Sequence, residues 1–238
     1  LIFDYRGFGA SGGQPRNLVT VERQLQDYRS VIEYARAHPD MFHSNKIIVA
    51  GSAFSGLHIA DLVVNDPGLA GGMAHCPLLD GYAALKAGPM NFTLVFWALV
   101  DSIKGRLGLS PTFVKAIGKP GELAFLTTPS CHPGFVDMFA QGNTPFSEAP
   151  NVIAGRAAFE TMAARPGLKL KDAKCPVLFV RAEDHDVIPA TVIKDVIEAA
   201  GDKVEVCVAP GGHFEVMRGG KGYETNIRAQ VEFLRRLL

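Results

Sequence analysis

Short apolar runs alternate along this chain with longer stretches of three-and-four spacing, and the alternation predicts strands and helices in turn. Leu1 to Tyr5 reads as a strand ending in a glycine-rich turn, Arg6 to Gly13. Val19 to His38 follows with Leu25, Tyr28, Val31, Ile32 and Ala35 at helical spacing. Ile47 to Ala50 is the next strand and Phe54 to Val64 the next helix. Leu69 to Cys76 is a third strand candidate, broken by Gly71 and Gly72. Pro176 to Arg181 and Val204 to Val208 are a fourth and fifth, separated by a helix over Thr191 to Ala200. A last helix over Tyr223 to Leu238 puts Ile227, Val231, Phe233 and Leu234 on its inner side. Strands alternating with helices imply an α/β fold, a mostly parallel sheet with helices on both faces. From about Pro77 to Lys174 the rhythm lapses into short helices, prolines and aromatics. The expected organisation is therefore a first core part over residues 1–76, a helical cap insertion over 77–174 and a second core part over 175–238. The chain opens directly on an apolar run without methionine, so N-terminal strands that would precede Leu1 are expected to be missing.

The composition narrows the function. Of 238 residues, 47% are hydrophobic and 20% charged, enough for an α/β domain with a large core. The 24 basic and 24 acidic residues cancel, which removes the electrostatic footprint of a nucleic-acid or anionic-membrane binder. Cys76, Cys131, Cys175 and Cys207 are scattered, with no C-x-x-C pair. No metal site or disulfide framework is expected, and a reducing, cytoplasmic setting fits. The longest apolar stretch, Phe92 to Val100, is too short to span a bilayer, so no membrane partner is expected.

Three motifs carry candidate chemistry. Gly7-Phe-Gly9-Ala-Ser-Gly12 has the G-x-G-x-x-G spacing of a dinucleotide loop. Two features argue against that reading: Gln14 to Asn17 separates the glycines from the helix, and the position some twenty residues on falls inside a helix near Glu33. No cofactor is expected. The second motif, Lys46-Ile-Ile-Val-Ala-Gly51-Ser52-Ala53-Phe54-Ser55-Gly56-Leu57-His58, reads as a strand, a tight turn and a helix start. In a strand–turn–helix elbow the nucleophile sits two residues after the glycine that ends the strand. That position is Ala53, which has no lone pair. Ser52 and Ser55 flank it and fit backbone hydrogen bonding better than attack. His58 reads as a packing or capping residue. Third, His213 lies on a glycine loop after a late strand, Pro210-Gly211-Gly212-His213-Phe214, where a loop tip can present imidazole as a general base. An acid that orients it is expected after strand Val177 to Val180. There the chain reads Glu183-Asp184-His185-Asp186. His185 falls at the acid position, and Asp184 or Asp186 takes the role if the loop shifts by one residue.

These residues resemble the α/β-hydrolase superfamily over essentially the whole chain. Asp4-Tyr-Arg6-Gly7-Phe-Gly9-Ala-Ser11 resembles its D-x-R-G-x-G-x-S turn. The chain is more closely similar to hydrolases related to X-Pro dipeptidyl-peptidases and to fungal polyketide transferases, whose elbow reads G-[ST]-S-[FY]-S-G-G-H against Gly51 to His58 here. Gly121 to Pro129 resembles that family's cap segment, and Gly212-His213-Phe214-Glu215-Val216 its G-H-F-D-[IV] histidine motif. The resemblance implies an α/β-hydrolase fold and a backbone oxyanion donor at Phe54. A second donor, usually in an H-G segment, is implied upstream of Leu1.

Two functions compete. In the first, the chain acts on ester, thioester or lactone bonds of an apolar small metabolite, with alanine standing for serine. His213 is then the base and Asp184 or Asp186 its orienter. In the second, both departures belong together, and a catalytically degenerate protein binds a small molecule or uses His213 without a covalent intermediate. Phe92, Phe96, Trp97, Phe125 and Phe135 of the cap supply the apolar surface in either case.

Overall fold

The structure is a computed structural model that describes residues 1–88 and 91–238. In chain order the elements are α1 (Val21–Ala37), β1 (Ile48–Ser52), α2 (Gly56–Asn65), β2 (Gly71–His75), α3 (Gly81–Ala87), α4 (Phe92–Arg106), β3 (Phe113–Ile117), β4 (Ala124–Leu126), α5 (Cys131–Gln141), β5 (Val152–Ala154), α6 (Ala157–Ala163), β6 (Val177–Ala182), α7 (Ala190–Ala200), β7 (Val204–Ala209) and α8 (Tyr223–Leu237). They fall into two compact units. One holds Leu1, Val21–Gly88 and Ala164–Leu238; the other holds Ile2–Thr20 and Pro89–Ala163.

The first unit is built on a parallel four-stranded sheet in the order β1-β2-β6-β7. β6 (Val-Leu-Phe-Val-Arg-Ala) is buried along nearly its whole length, as a strand covered on both faces must be. Its alternation sends Leu178, Val180 and Ala182 into a cluster with Ala209, Val216 and Phe233, the side taken by α8. On the opposite side α2 is apolar nearly all round, with Leu57, Ile59, Ala60, Leu62 and Val63 at most 1% exposed, the pattern of a fully buried helix. The mostly parallel, doubly covered α/β architecture expected from the sequence is what forms.

Four local readings need correction. Gly71 and Gly72 do not break β2; they begin it. A Cβ on Gly71 would lie 2.6 Å from Leu237 Cδ1 on α8, and one on Gly72 would lie 2.4 Å from Val63 Cγ1 on α2. Each glycine lets one flanking helix approach the strand. Leu1 to Tyr5 is not a strand: it pairs with none of the described strands, and Ile2 is exposed. On α8, Phe233 is buried, but Ile227 and Val231 are exposed and Leu234 is half-buried. The inner face is turned by one residue, so that the buried Asn226 donates through Nδ2 to the Val216 carbonyl at 2.9 Å. Finally, the segment read as wholly helical also holds a small sheet.

That sheet belongs to the second unit. β3 is its centre, parallel to β4 and antiparallel to β5. Asp101, fully buried on α4, organises the same unit. Its carboxylate accepts from the Thr112 N–H at 2.6 Å, the Arg156 N–H at 2.9 Å and Arg156 Nε at 2.7 Å. Burial opposes its ionisation, yet the Arg156 guanidinium and these N–H groups hold its carboxyl below the usual carboxylate range. Asp101→Ala would strand a partly buried guanidinium and two N–H groups. We expect a loss of about 3–5 kcal/mol, read as a lower urea midpoint; a change under about 1 kcal/mol would show that the pair is dispensable.

The glycine turn also lies in the second unit. It closes on itself: Gly7 N–H donates to the Gly12 carbonyl at 2.8 Å, Ala10 N–H to Asp4 Oδ2 at 2.8 Å, and Arg16 to the Ser11 and Gly9 carbonyls. At Gly9, with φ +47°, a Cβ would collide with the Asp4 carboxylate. The spacing therefore serves a latched turn and does not open a helix toward a nucleotide.

Candidate functional site

In open α/β sheets the chemistry gathers beyond the carboxyl ends of the strands, and all the candidate residues of the first unit lie there. β1 ends in a 3-10 turn, Ala53–Ser55, that leads into α2. Ala53 has φ +48°, a left-handed conformation rare for a residue with a Cβ. The strain of an elbow is therefore present although its side chain is a methyl group. The flanking glycines explain the tight fit: a Cβ on Gly51 would lie 2.9 Å from Ser55 Cβ, and one on Gly56 would lie 2.5 Å from Pro77 Cβ. Phe54 follows in the same turn, and its ring meets His58 edge-on at 5.6 Å. His58 is fully buried between Phe54 and Tyr28. It packs the elbow helix, and burial lowers its pKa to about 4.

β2 is followed directly by Cys76, a second left-handed residue with φ +46°. Its thiol is fully buried and donates to the His213 carbonyl at 3.6 Å. Two positions later the Leu78 N–H donates to the Ala53 carbonyl at 2.8 Å. The loop after β2 thus ties the elbow to the His213 loop. Nothing in the spacing of the four cysteines singled out Cys76; only its place at the tip of a strand does.

The loops after β6 and β7 bring His185 and His213 together. His213 Nδ1 lies 2.8 Å from His185 Nε2, with the rings perpendicular and their centroids 4.6 Å apart. His185 Nδ1 accepts from the Ile188 N–H at 2.8 Å. Asp184 and Asp186 are exposed, and the group at hydrogen-bond distance from His213 Nδ1 is the imidazole at the expected acid position. His213 is 4% exposed. Its pKa is pushed down to about 3, first by burial and then by His185 and His75, with Asp186 opposing. His185 is pushed down to about 4, by burial first. Both rings are therefore neutral at pH 7. Asp80 is a buried carboxylate that the sequence reading missed, but it is committed elsewhere: it caps α3 through Ala83 N–H and pairs with Arg165 at 2.9 Å.

Cys76, His185 and His213 offer three ligand atoms within 4.8 Å of one another, so a metal must be considered. The donor set does not fit. Two nitrogens on one tetrahedral zinc lie about 3.3 Å apart, whereas these are 2.8 Å apart, as a hydrogen-bonded pair is. A ligating His185 Nε2 would put the ring proton on Nδ1, which already faces the Ile188 N–H. The Cys76 thiol is pushed up to about 12 by burial.

Comparison with known proteins agrees with this architecture. The quorum-quenching protein AidA of Acinetobacter baumannii is 32% identical over 241 residues, covering 100% of this chain and 77% of AidA. The α/β-hydrolase GrgF from Penicillium sp. sh18 superimposes with a TM-score of 0.76 at 20% identity, over 98% of this chain and 78% of that one. The chain belongs to the family of AidA and has the α/β-hydrolase fold. Other relatives include polyketide transferase af380 of Aspergillus fumigatus, 25% identical over 100% of this chain and 80% of its own length. A thiohydrolase of Eupenicillium brefeldianum is 24% identical over 99% of this chain and 76% of its own length. No family model matches the chain. The strand–turn–helix at Ala53 and the loop carrying His213 both lie beyond the carboxyl ends of the parallel sheet, with His185 against His213 Nδ1. Among the described residues no helix is long and apolar enough to cross a membrane.

Proposed function

We propose that this α/β-hydrolase-fold protein binds an apolar metabolite through a carbonyl group at the elbow and forms no covalent intermediate with it. The observation that carries the reading is the pair of coincident replacements, Ala53 at the strained elbow position and His185 hydrogen-bonded to His213 where a carboxylate would stand. A methyl group cannot attack. A histidine held near pKa 3 is also a poor base at neutral pH, since general bases work best with a pKa close to the operating pH. What survives is a set of hydrogen-bond donors suited to a carbonyl oxygen, with the Phe54 N–H carried over from the family pattern. The names of two relatives, a polyketide transferase and a thiohydrolase, support acyl-bearing ligands of this kind.

The second reading, hydrolysis of ester, thioester or lactone bonds, is favoured by those same names. It requires His213 to direct water without an acyl-enzyme. Incubation with p-nitrophenyl octanoate, followed by intact-mass measurement and calorimetric titration with γ-decalactone, separates the two. We expect lactone binding, no acyl adduct and ester release at the buffer rate. Sustained turnover would support the second reading, and an acyl adduct would overturn both.

A further inference from the structure

The two imidazoles beyond β6 and β7 fix each other's protons. The Ile188 N–H donates to His185 Nδ1 at 2.8 Å, and a ring nitrogen that accepts carries no hydrogen of its own. His185 is neutral at pH 7, so its single proton sits on Nε2. That atom lies 2.8 Å from His213 Nδ1. The hydrogen between the rings therefore belongs to His185, and His213 Nδ1 accepts it. His213, also neutral, keeps its proton on Nε2. The hydrogen-bond chain assigns both tautomers. With Nδ1 engaged by His185, the remaining polar atom of the His213 ring is this Nε2–H.

A Ser-His-Asp relay runs the other way. There a carboxylate accepts from Nδ1–H and leaves Nε2 with the lone pair that removes the serine proton. Exchanging the acid for a histidine whose own Nδ1 is occupied by a backbone N–H reverses the polarity of the chain. The charge of Asp186 favours protonation of both rings, but burial outweighs it in each. Arg181 acts on His185 and His75 on His213, both in the direction of neutrality.

We propose that His185 is a positioning residue that locks His213 in the Nε2–H tautomer, so that the site selects ligands by a carbonyl oxygen that accepts a hydrogen bond. The inference rests on the non-covalent reading above and gives it a ligand chemistry: esters, thioesters and lactones are held by their acceptor oxygen, and ligands that offer only N–H or O–H hydrogens are disfavoured.

Nitrogen-15 NMR of the histidine-labelled wild-type protein at pH 7 tests the tautomers directly. We expect Nε2–H on both rings; a hydrogen on His213 Nδ1 would overturn the proposal whatever any variant does. Coumarin and indole, two neutral bicyclic probes of similar size, test the consequence. Coumarin presents a lactone carbonyl that only accepts, and indole an N–H that only donates. Wild type is expected to prefer coumarin. His185→Asp moves the His213 proton to Nδ1 and bares Nε2, so coumarin should weaken about tenfold while indole tightens. Equal weakening of both probes would reduce His185 to a structural role and overturn the inference. An acyl adduct on wild type, by contrast, would defeat the non-covalent reading while leaving the NMR assignment to stand or fall on its own.

Discussion

Ala53→Ser alone is expected to leave p-nitrophenyl butyrate hydrolysis within about threefold of wild type, whereas Ala53→Ser combined with His185→Asp should raise it by about 10² to 10⁴, with a burst of product. The backbone at position 53 already has φ +48° with a Cβ in place, so a serine adds one oxygen without new strain. The base expected for that oxygen is His213, whose Nε2 carries a hydrogen and whose pKa is pushed down to about 3 by burial. The ring can donate to the hydroxyl but cannot take its proton. A carboxylate at 185 changes both properties at once. It accepts from His213 Nδ1–H, freeing the Nε2 lone pair, and its charge raises the pKa of the ring toward the working range. The Ile188 N–H that now meets His185 Nδ1 at 2.8 Å suits a carboxylate oxygen as well, which favours tolerance of the change. A burst from the single serine variant would mean that His213 is already a base, and the donor assignment would fail with it. Absence of a burst from the double variant, with the fold intact by circular dichroism, would place the defect in the oxyanion donors.

Much of this site was legible from residue order because elbows are written in small residues at fixed spacing. Gly51 and Gly56 must be glycine where strand, turn and α2 crowd together, so the tight turn at Ala53 could be read from residue order. The histidine loop was legible for a similar reason: glycines flanking an imidazole after a late strand mark a turn with a purpose. What residue order hid were relations set by packing. The pattern on α8 offers two apolar stripes one residue apart, and the choice fell to the bulk of Phe233 and the Asn226 amide on the Val216 carbonyl. Gly71 and Gly72 look like a break unless one knows that a helix presses on each face of the strand. A three-stranded sheet with elements as short as Ala124–Leu126 leaves no period to read. The pairing of His185 with His213 is the most consequential case. The sequence put His185 at the acid position, but only the Ile188 N–H on its Nδ1 decides which way the hydrogens run.

Lowering the pH from 7 to 5 is expected to remove up to about 6 kcal/mol of stability, close to the whole margin of many domains. His58 and His185 fall from an ordinary 6.5 to about 4, and His213 to about 3, burial being the first cause in each. Below pH 6.5 the unfolded chain binds protons at all three positions, and the folded chain does not until pH 4 or 3. The unfolded state therefore gains protons as pH falls, and stability present above pH 6.5 is lost progressively down to about pH 4. At pH 5 each ring is 1.5 pH units below its ordinary value, worth about 2 kcal/mol. His75, also lowered by burial, adds in the same direction. The carboxylates of Asp80 and Asp101 are held below the usual range, so they begin to contribute only at lower pH and do not confuse this window. Urea unfolding followed by circular dichroism at pH 7, 6 and 5 should show the midpoint falling at each step. His58→Leu should flatten the slope by about a third while leaving the site pair untouched. A midpoint independent of pH across this range would mean that the imidazoles titrate in the folded state as they do in the unfolded chain, and the lowering by burial would be refuted.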